Sequence, residues 1–138
     1  PQYKFMNTSE IIYKGDLRTT AVHLKSGQQI VTDAPVDNNG KGEAFSPTDL
    51  MATSLGSCML TVMGIVAKRH NLNIDGTRVE VLKIMAENPR RVAEIHIDMY
   101  FVNSFSEKDR TLLENTAMTC PVAKSLHPDI NQKIRFHY

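Results

Sequence analysis

Two cysteines, Cys58 and Cys120, are the residues of this 138-residue chain whose side chains are best suited to redox chemistry. A cysteine thiolate is a nucleophile that can be oxidised to a sulfenic acid or joined to a second thiol in a disulfide. Cys58 follows Gly56 and Ser57, and such small neighbours would let a substrate come close to its sulfur. A free cysteine is also among the most frequently buried residue types and packs as a small hydrophobe. Composition alone therefore leaves Cys58 open between a reactive thiol and a core residue.

Cys120 differs from Cys58 because a proline, Pro121, follows it. Proline disfavours helical dihedral angles at the residue before it and suits the first position of a new helix. The sequence therefore predicts a short helix over Pro121–Leu126 with Cys120 at its N-cap. The helix dipole favours a thiolate at that position, so we expect a lowered pKa for Cys120. The alternative is that the Cys-Pro pair only marks a helix break.

The helix that carries Cys58 is predicted to begin at Ser46-Pro47-Thr48-Asp49 and to run to about His70. Ser46 can cap this helix, and Asp49 can reach back to complete a capping box. From Leu50 to Ala67 the sequence has no charged residue, so the helix has little surface to offer water. Because one sheet can cover only one stripe of a helix, we expect a second subunit to cover the remainder.

Strands and turns are indicated on both sides of this helix by alternating apolar residues and by clusters of Gly, Pro and Asn. Before the helix we predict strands over residues 3–13, 17–24 and 28–32 and a loop over residues 34–42. After it we predict a hairpin of residues 77–87 and 91–103, a second helix from residue 106 to about 120, the short helix, and a last strand over residues 130–138. This order indicates an α+β fold with mainly antiparallel pairing, in a single domain of residues 1–138.

The bulk composition argues against several functions. Sixteen basic and fifteen acidic residues give a formal net charge of +1, which offers no global attraction for nucleic acid or an anionic membrane. There is no run of about 18 consecutive apolar residues and no apolar signal-peptide core at the start, so we expect a cytoplasmic protein without a membrane span. His127 lies near Cys120, but the CxxC and HxxxH spacings of zinc sites are missing, and we predict no metal.

Two segments resemble motifs of the OsmC/Ohr family, named for osmotically inducible and organic hydroperoxide resistance proteins. Ser46–Cys58 is similar to the helix in which that family places its reactive cysteine, with a Pro-acid-Leu pattern before a run of small residues. Cys120–Leu126 resembles the family's second motif, Cys-Pro-Val followed by a short helix. The strand and helix order also matches over essentially the whole chain. The resemblance implies an OsmC-like fold and an intertwined homodimer with active sites at its interface.

The same resemblance implies a function. Cys58 would reduce an organic hydroperoxide and become a sulfenic acid, and Cys120 would then form a disulfide with it, as part of the defence against oxidative stress. An external dithiol, in this family typically a lipoylated protein, would restore both thiols, so no bound cofactor is expected. Arg18 matches the family arginine that stabilises the thiolate, although spacing alone indicates only an exposed strand end. We expect the substrate site to be lined by apolar residues of the Cys58 helix, namely Met51, Leu55 and Met59, although methionine on such a helix is more often core filler.

The sequence departs from the family pattern at Thr48, where the peroxidase branches carry a glutamate that pairs with the arginine. Asp49 could replace it and is included among the predicted site residues, although helix capping already explains this residue. Glu43, in the preceding loop, is a second candidate. The departure leaves a second function open: a non-catalytic protein of the same fold that holds a small hydrophobic ligand at the dimer interface.

Overall fold

A computed structural model of the chain describes residues 7–138. The chain divides into two compact units, the first ending at Leu50 and the second beginning at Met51, and each is described by itself. The expectation of one domain stays a prediction. The mixed α+β architecture predicted from the sequence is confirmed, with a three-stranded sheet in each unit and the helices between and after their strands.

The N-terminal unit contains an antiparallel sheet of β1 (Ser9–Gly15), β2 (Arg18–His23) and β3 (Gln29–Asp33), in that spatial order. The three predicted strands are thus confirmed, although residues 3–6 of the first lie outside the described residues. The β1–β2 turn is centred on Asp16 and Leu17, whose φ angles are 53° and 63°. Two consecutive positive φ values are those of a type I′ turn, whose twist matches that of the hairpin strands.

Both faces of this first sheet carry exposed apolar side chains. By strand register Ile11 and Ile30 share one face, and Ile12 and Val31 share the other. Ile11 is 66% exposed and Ile12 is 60% exposed. A three-stranded sheet needs a covered apolar face to be independently stable. The described chain leaves apolar surface open on each side of the sheet.

The first helix, α1 (Pro47–Arg69), begins with the capping box that the sequence predicts. The Ser46 Oγ accepts a hydrogen bond from the Asp49 N–H at 3.0 Å, and the Asp49 carboxylate accepts one from the Ser46 N–H at 3.0 Å. The preceding loop contains one turn of 3₁₀ helix, Val36–Asn38. The start of α1 is therefore fixed by local side-chain chemistry.

One face of α1 is buried in the core of the C-terminal unit. The buried residues recur at the spacing of a single helical stripe and are Ala52, Leu55, Gly56, Met59, Met63 and Ala67. The opposite side carries Ser57, Thr61 and Ile65, all exposed. The prediction that a second subunit covers the remainder of α1 is not tested by the structure of one chain and stays a prediction.

By length and composition alone α1 could also cross a membrane. The sequence prediction considered only consecutive apolar residues, and threonine, serine and glycine interrupt the apolar residues of α1. The core helix of a globular protein passes the same test, because its buried stripe is apolar and its other faces can be small and uncharged. The packing of α1 against the second sheet is that of a core helix.

The C-terminal unit contains a second sheet of β4 (Arg78–Ala86), β5 (Arg91–Tyr100) and β6 (Asn131–His137). The predicted β4–β5 hairpin is confirmed. In contrast to the mainly antiparallel expectation, β6 pairs parallel to β5, because the intervening segment crosses back before β6 begins. The register of β4 and β5 shifts at Ala93, so Val92 rather than Ala93 is the buried residue at this end of β5.

Between β5 and β6 lie α2 (Glu107–Ala117) and the short α3 (Pro121–Ser125). Ser106 caps α2 by accepting a hydrogen bond from the Asp109 N–H, and the predicted break before Pro121 is confirmed. Leu113 and Ala117 of α2 join the α1 stripe and the inward residues of β5 in one buried cluster. Cys120 is part of this cluster and Cys58 packs against it.

Candidate active site

Cys120 lies at the N-cap of α3, as predicted, and its Sγ accepts a hydrogen bond from the Ala123 N–H at 3.3 Å. The thiol is fully buried. Burial raises the pKa of the Cys120 thiol, and the neighbouring Cys58 thiol raises it further, while the Ala123 amide lowers it less. The expected lowering of this pKa was therefore wrong. The cost of burying a thiolate outweighs the stabilisation that a helix of little more than one turn provides.

Cys58 lies in α1 and packs against the buried cluster that contains Cys120, close enough for its thiol to raise the pKa of Cys120. Both are free thiols, but Cys58 is half-buried and Cys120 is buried. A small reagent that arrives from solvent therefore meets the Cys58 sulfur first. The raised pKa keeps the proton on Cys120, and two neighbouring thiols are a suitable starting arrangement for a disulfide. The structure thus brings together two thiols that are far apart in the sequence.

A cavity of about 450 Å³ lies beside the elements that hold the two thiols. Its walls combine apolar side chains with a few polar groups and are formed by Met51, Arg91, Val92, Ala93, Ser125, Leu126, His127, Asp129 and Ile130. Met51 precedes Cys58 by two turns of α1, and Leu126 is the C-cap of the helix that Cys120 begins. A cavity of this size and lining is typical of a small-molecule site.

The three residues expected to line a substrate site are placed differently from one another. Met51 is half-buried and lines the cavity. Leu55 and Met59 are fully buried core residues and expose no surface to a ligand in the described structure. Core packing is the alternative that the sequence also allows, because methionine often fills irregular gaps in cores. A substrate contact of Leu55 or Met59 therefore has no support from their placement.

Arg18 forms an ion-pair cluster within the N-terminal unit. Its Nε and Nη2 atoms donate to the two carboxylate oxygens of Asp33 at 2.7 and 2.8 Å, and Nη2 also donates to Glu43 at 3.0 Å. The Arg18 guanidinium lowers the pKa of the Asp33 carboxyl, and Asp33 raises the pKa of Arg18. Sequence reasoning missed Asp33. The signal was its position opposite Arg18 in the β2–β3 register, which depends on knowing how the two strands pair.

Asp49 and Glu43, the two predicted substitutes for the family glutamate, have different partners. The Asp49 carboxylate accepts the Ser46 N–H of the capping box, whereas Glu43 contacts Arg18. The hydroxyl of Thr48, where the family glutamate is replaced, lies 3.3 Å from that of Ser46. Of the two candidates, Glu43 is therefore the one with a described contact to the arginine.

No metal-ligating cluster of three or more His, Cys, Asp or Glu side chains occurs among residues 7–138. His127, the histidine nearest to Cys120 in sequence, accepts a hydrogen bond from the Asp129 N–H through Nδ1. This histidine lines the cavity and takes part in the local turn.

Residues 40–135 match the family described as OsmC-like protein. A solved structure from Psychrobacter arcticus, described as a candidate osmotic stress induced and detoxification response protein, is 59% identical, with 96% of each chain covered and a TM-score of 0.93. An organic hydroperoxide resistance protein OsmC from Legionella pneumophila is 13% identical, with 96% of this chain and 98% of that chain covered and a TM-score of 0.75. The organic hydroperoxide resistance protein OhrB of Bacillus subtilis is 16% identical, with 94% and 98% covered and a TM-score of 0.66. A search of curated proteins found no significant match.

Proposed function

Because the chain belongs to the OsmC-like protein family, we propose that it is a thiol-dependent reductase of organic hydroperoxides. The observation that carries this proposal is that a half-buried Cys58 packs beside a buried Cys120 in one cluster. Two structurally similar proteins are named for organic hydroperoxide resistance, which agrees with this chemistry.

The reaction begins when the Cys58 thiolate attacks the terminal oxygen of the peroxide. An S–O bond forms, the O–O bond breaks, and the alkoxide leaves as an alcohol after it takes up a proton. Cys58 is thereby oxidised to a sulfenic acid while the peroxide is reduced. The Cys120 sulfur then attacks the sulfenic sulfur, and the hydroxyl group leaves as water with the Cys120 proton. An external dithiol, such as a lipoylated protein, reduces the disulfide without a bound cofactor.

The environments of the two thiols suit these separate roles. Cys58 is the sulfur that an entering peroxide reaches, and Cys120, buried beside it, is shielded from direct oxidation. The cavity that Met51 lines offers mainly apolar walls for the organic part of the peroxide. Arg18 is the cation that we propose stabilises the Cys58 thiolate, in the role that its family position implies. We also propose that the protein works in the cytoplasm, where both cysteines start as thiols.

The test is turnover of an alkyl hydroperoxide by the reduced protein with a dithiol as electron donor. We expect peroxide consumption to be abolished in Cys58→Ser. In Cys120→Ser, assayed after the dithiol has been removed, we expect one equivalent of peroxide to be consumed and a sulfenic acid to remain on Cys58, detected by mass spectrometry after trapping with dimedone. Ser57→Ala, which changes the exposed neighbour of Cys58, is the matched control and should retain activity. Full activity in Cys58→Ser would refute the proposal.

The second candidate function is binding of a small apolar ligand without catalysis. The cavity of about 450 Å³ and the loss of the family glutamate at Thr48 favour it. A protein of this kind would bind a fluorescent apolar probe equally well after both cysteines are changed to serine, and would not consume peroxide. Met51→Trp, which fills the cavity, should abolish probe binding under this function.

We also propose that the protein is a homodimer. The first sheet exposes apolar residues on both faces, and α1 exposes Ile65, which is 50% exposed, on the side opposite its buried stripe. A second copy of the chain would cover these surfaces, because a two-fold interface uses the same patch on both subunits. The family resemblance implies the same assembly.

A further inference from the structure

We infer that Asp33 is the residue that positions Arg18 and that it takes the place of the family glutamate missing at Thr48. The inference rests on the proposed function in one respect, since the role of Arg18 in stabilising the Cys58 thiolate belongs to that proposal. The identity of the positioning residue rests on contacts within the N-terminal unit alone.

The first support is the geometry of the Arg18–Asp33 pair. Two parallel N–H···O bonds of 2.7 and 2.8 Å join Nε and Nη2 of Arg18 to the two oxygens of one carboxylate. A bidentate pair of this kind fixes the plane of the guanidinium as well as its distance, which a single contact does not. Arg18 and Asp33 are also direct partners in the β2–β3 register, so the sheet itself holds the two side chains together.

The second support is the difference in burial between the two acids that Arg18 contacts. The Asp33 side chain is 1% exposed, whereas the Glu43 side chain is 65% exposed and makes a single contact of 3.0 Å. An exposed ion pair is screened by water and contributes little, while a buried hydrogen-bonded pair holds its geometry. Asp33 is therefore the rigid partner, and Glu43 is an accessory one.

The third support is that Asp33 also organises the loop that carries Glu43. Its Oδ2 atom accepts the Glu43 N–H at 3.1 Å as well as the Arg18 Nη2 hydrogen bond. The buried Asp33 carboxylate thus holds both the Arg18 guanidinium and the backbone of Glu43, the second acid that contacts Arg18.

The experiment compares Asp33→Asn with Glu43→Gln and with a matched control. Thr32→Val removes a buried hydroxyl pair with Thr19 in the same two strands, beside the ion pair, and leaves all charges in place. Misplacing a catalytic group by about 1 Å can cost on the order of 100-fold. We therefore expect Asp33→Asn to lower kcat/KM for an alkyl hydroperoxide about 10- to 100-fold, Glu43→Gln less than about threefold, and Thr32→Val no more than Glu43→Gln.

A double-mutant cycle separates positioning from a general effect on the fold. If Asp33 acts through Arg18, Asp33→Asn should have no further effect on kcat/KM in an Arg18→Ala background. The pH profile of Cys58 alkylation should move to higher pH to the same extent in Asp33→Asn and in Arg18→Ala, and should not move in Thr32→Val. If Asp33→Asn does not fold, Arg18→Lys gives the same comparison, since lysine keeps the charge but cannot form the bidentate pair. We expect Arg18→Lys to lose at least about tenfold.

The outcomes distinguish this inference from the proposed function. Full peroxidase activity in Asp33→Asn, together with a large loss in Arg18→Ala, would overturn the inference and leave the peroxidase proposal intact. An additive effect of Asp33→Asn in the Arg18→Ala background would also overturn it. If the wild-type protein does not reduce peroxide, the proposed function fails, and the alkylation profiles still decide whether Asp33 affects Cys58 through Arg18.

Discussion

The two thiols of this chain show how burial and local hydrogen bonding compete at a single residue. Cys120 has the N-cap position and the amide donor that usually favour a thiolate, yet its pKa is raised because the sulfur is removed from water. The consequence favours the proposed mechanism. A protonated and buried Cys120 is a poor nucleophile and leaves Cys58 as the thiol that meets peroxide.

On the second sheet, the hydrogen bonds of Asp98 make the stability of the fold depend on pH. This carboxylate accepts bidentate hydrogen bonds from Arg135 at 2.8 and 2.9 Å and one from His137 at 2.9 Å. Arg135 and then His137 lower the pKa of Asp98 from 3.8 to about 2. Since the pKa is lower in the folded state, the ionised carboxylate contributes stability above its unfolded-state pKa. That stability is lost as the pH falls toward 2.

We therefore predict that Asp98→Asn lowers Tm at neutral pH and flattens the acid dependence of Tm. Wild type should lose stability steeply between about pH 4 and pH 2, and the variant should lose less over the same interval. Thermal unfolding followed by circular dichroism at a series of pH values measures this. Asp75→Asn, in an exposed turn, is the control and should follow the wild-type curve. Parallel curves for Asp98→Asn and wild type would contradict the prediction.

At the scale of elements, the room available for a side chain differs between two glycines, and alanine at each should therefore have opposite effects on stability. A Cβ at Gly40 would lie 1.8 Å from the carbonyl oxygen of Ala34, whereas a Cβ at Gly64 in α1 would meet nothing within 4 Å. Gly40→Ala should therefore destabilise by at least about 1–3 kcal/mol, because backbone must move. Gly64→Ala should stabilise by about 0.5–1 kcal/mol, because alanine is the better helix former.

Urea unfolding of both variants measures the change in the free energy of unfolding, which should be negative for Gly40→Ala and positive for Gly64→Ala. Gly64→Ser, which adds a side chain of similar size with a lower helix propensity, should fall between wild type and Gly64→Ala. A loss of stability in Gly64→Ala would mean that the second copy of the chain, which we propose covers this side of α1, packs closely against Gly64 itself. A stable Gly40→Ala variant would show that the turn can relax, contrary to our expectation.

The elements that the sequence predicted correctly are those specified by neighbouring residues. The capping box of Ser46 and Asp49 and the break at Pro121 each depend on a few adjacent positions, so their starts could be predicted. The pairing of Arg18 with Asp33, the parallel direction of β6 and the bulge at Ala93 depend on how distant strands meet. Those features, including the positioning acid of the candidate site, could not be predicted without the strand register.

At the scale of the whole molecule, the described residues leave rows of apolar side chains open to water on the first sheet and on α1. Ile11 and Ile30 are exposed on one face of the first sheet, and Ile12 and Val31 on the other. A sheet with two apolar faces needs cover on both. The exposed side of α1 also needs cover, because it carries Ile65 and the helix has no charged residue from Leu50 to Ala67.

We therefore predict a dimer in solution, with a mass twice the 15.5 kDa of one chain. Ile12→Asp and Ile65→Asp should each weaken it, because a charge would have to be buried without a partner in the interface. Sedimentation velocity over a range of concentrations measures the shift toward monomer. Val102→Asp, at an exposed position outside the first sheet and α1, is the control and should remain dimeric. Wild-type protein that sediments as a monomer at every concentration would contradict the prediction, and the first sheet would then have to be stable with apolar rows open to water on both faces.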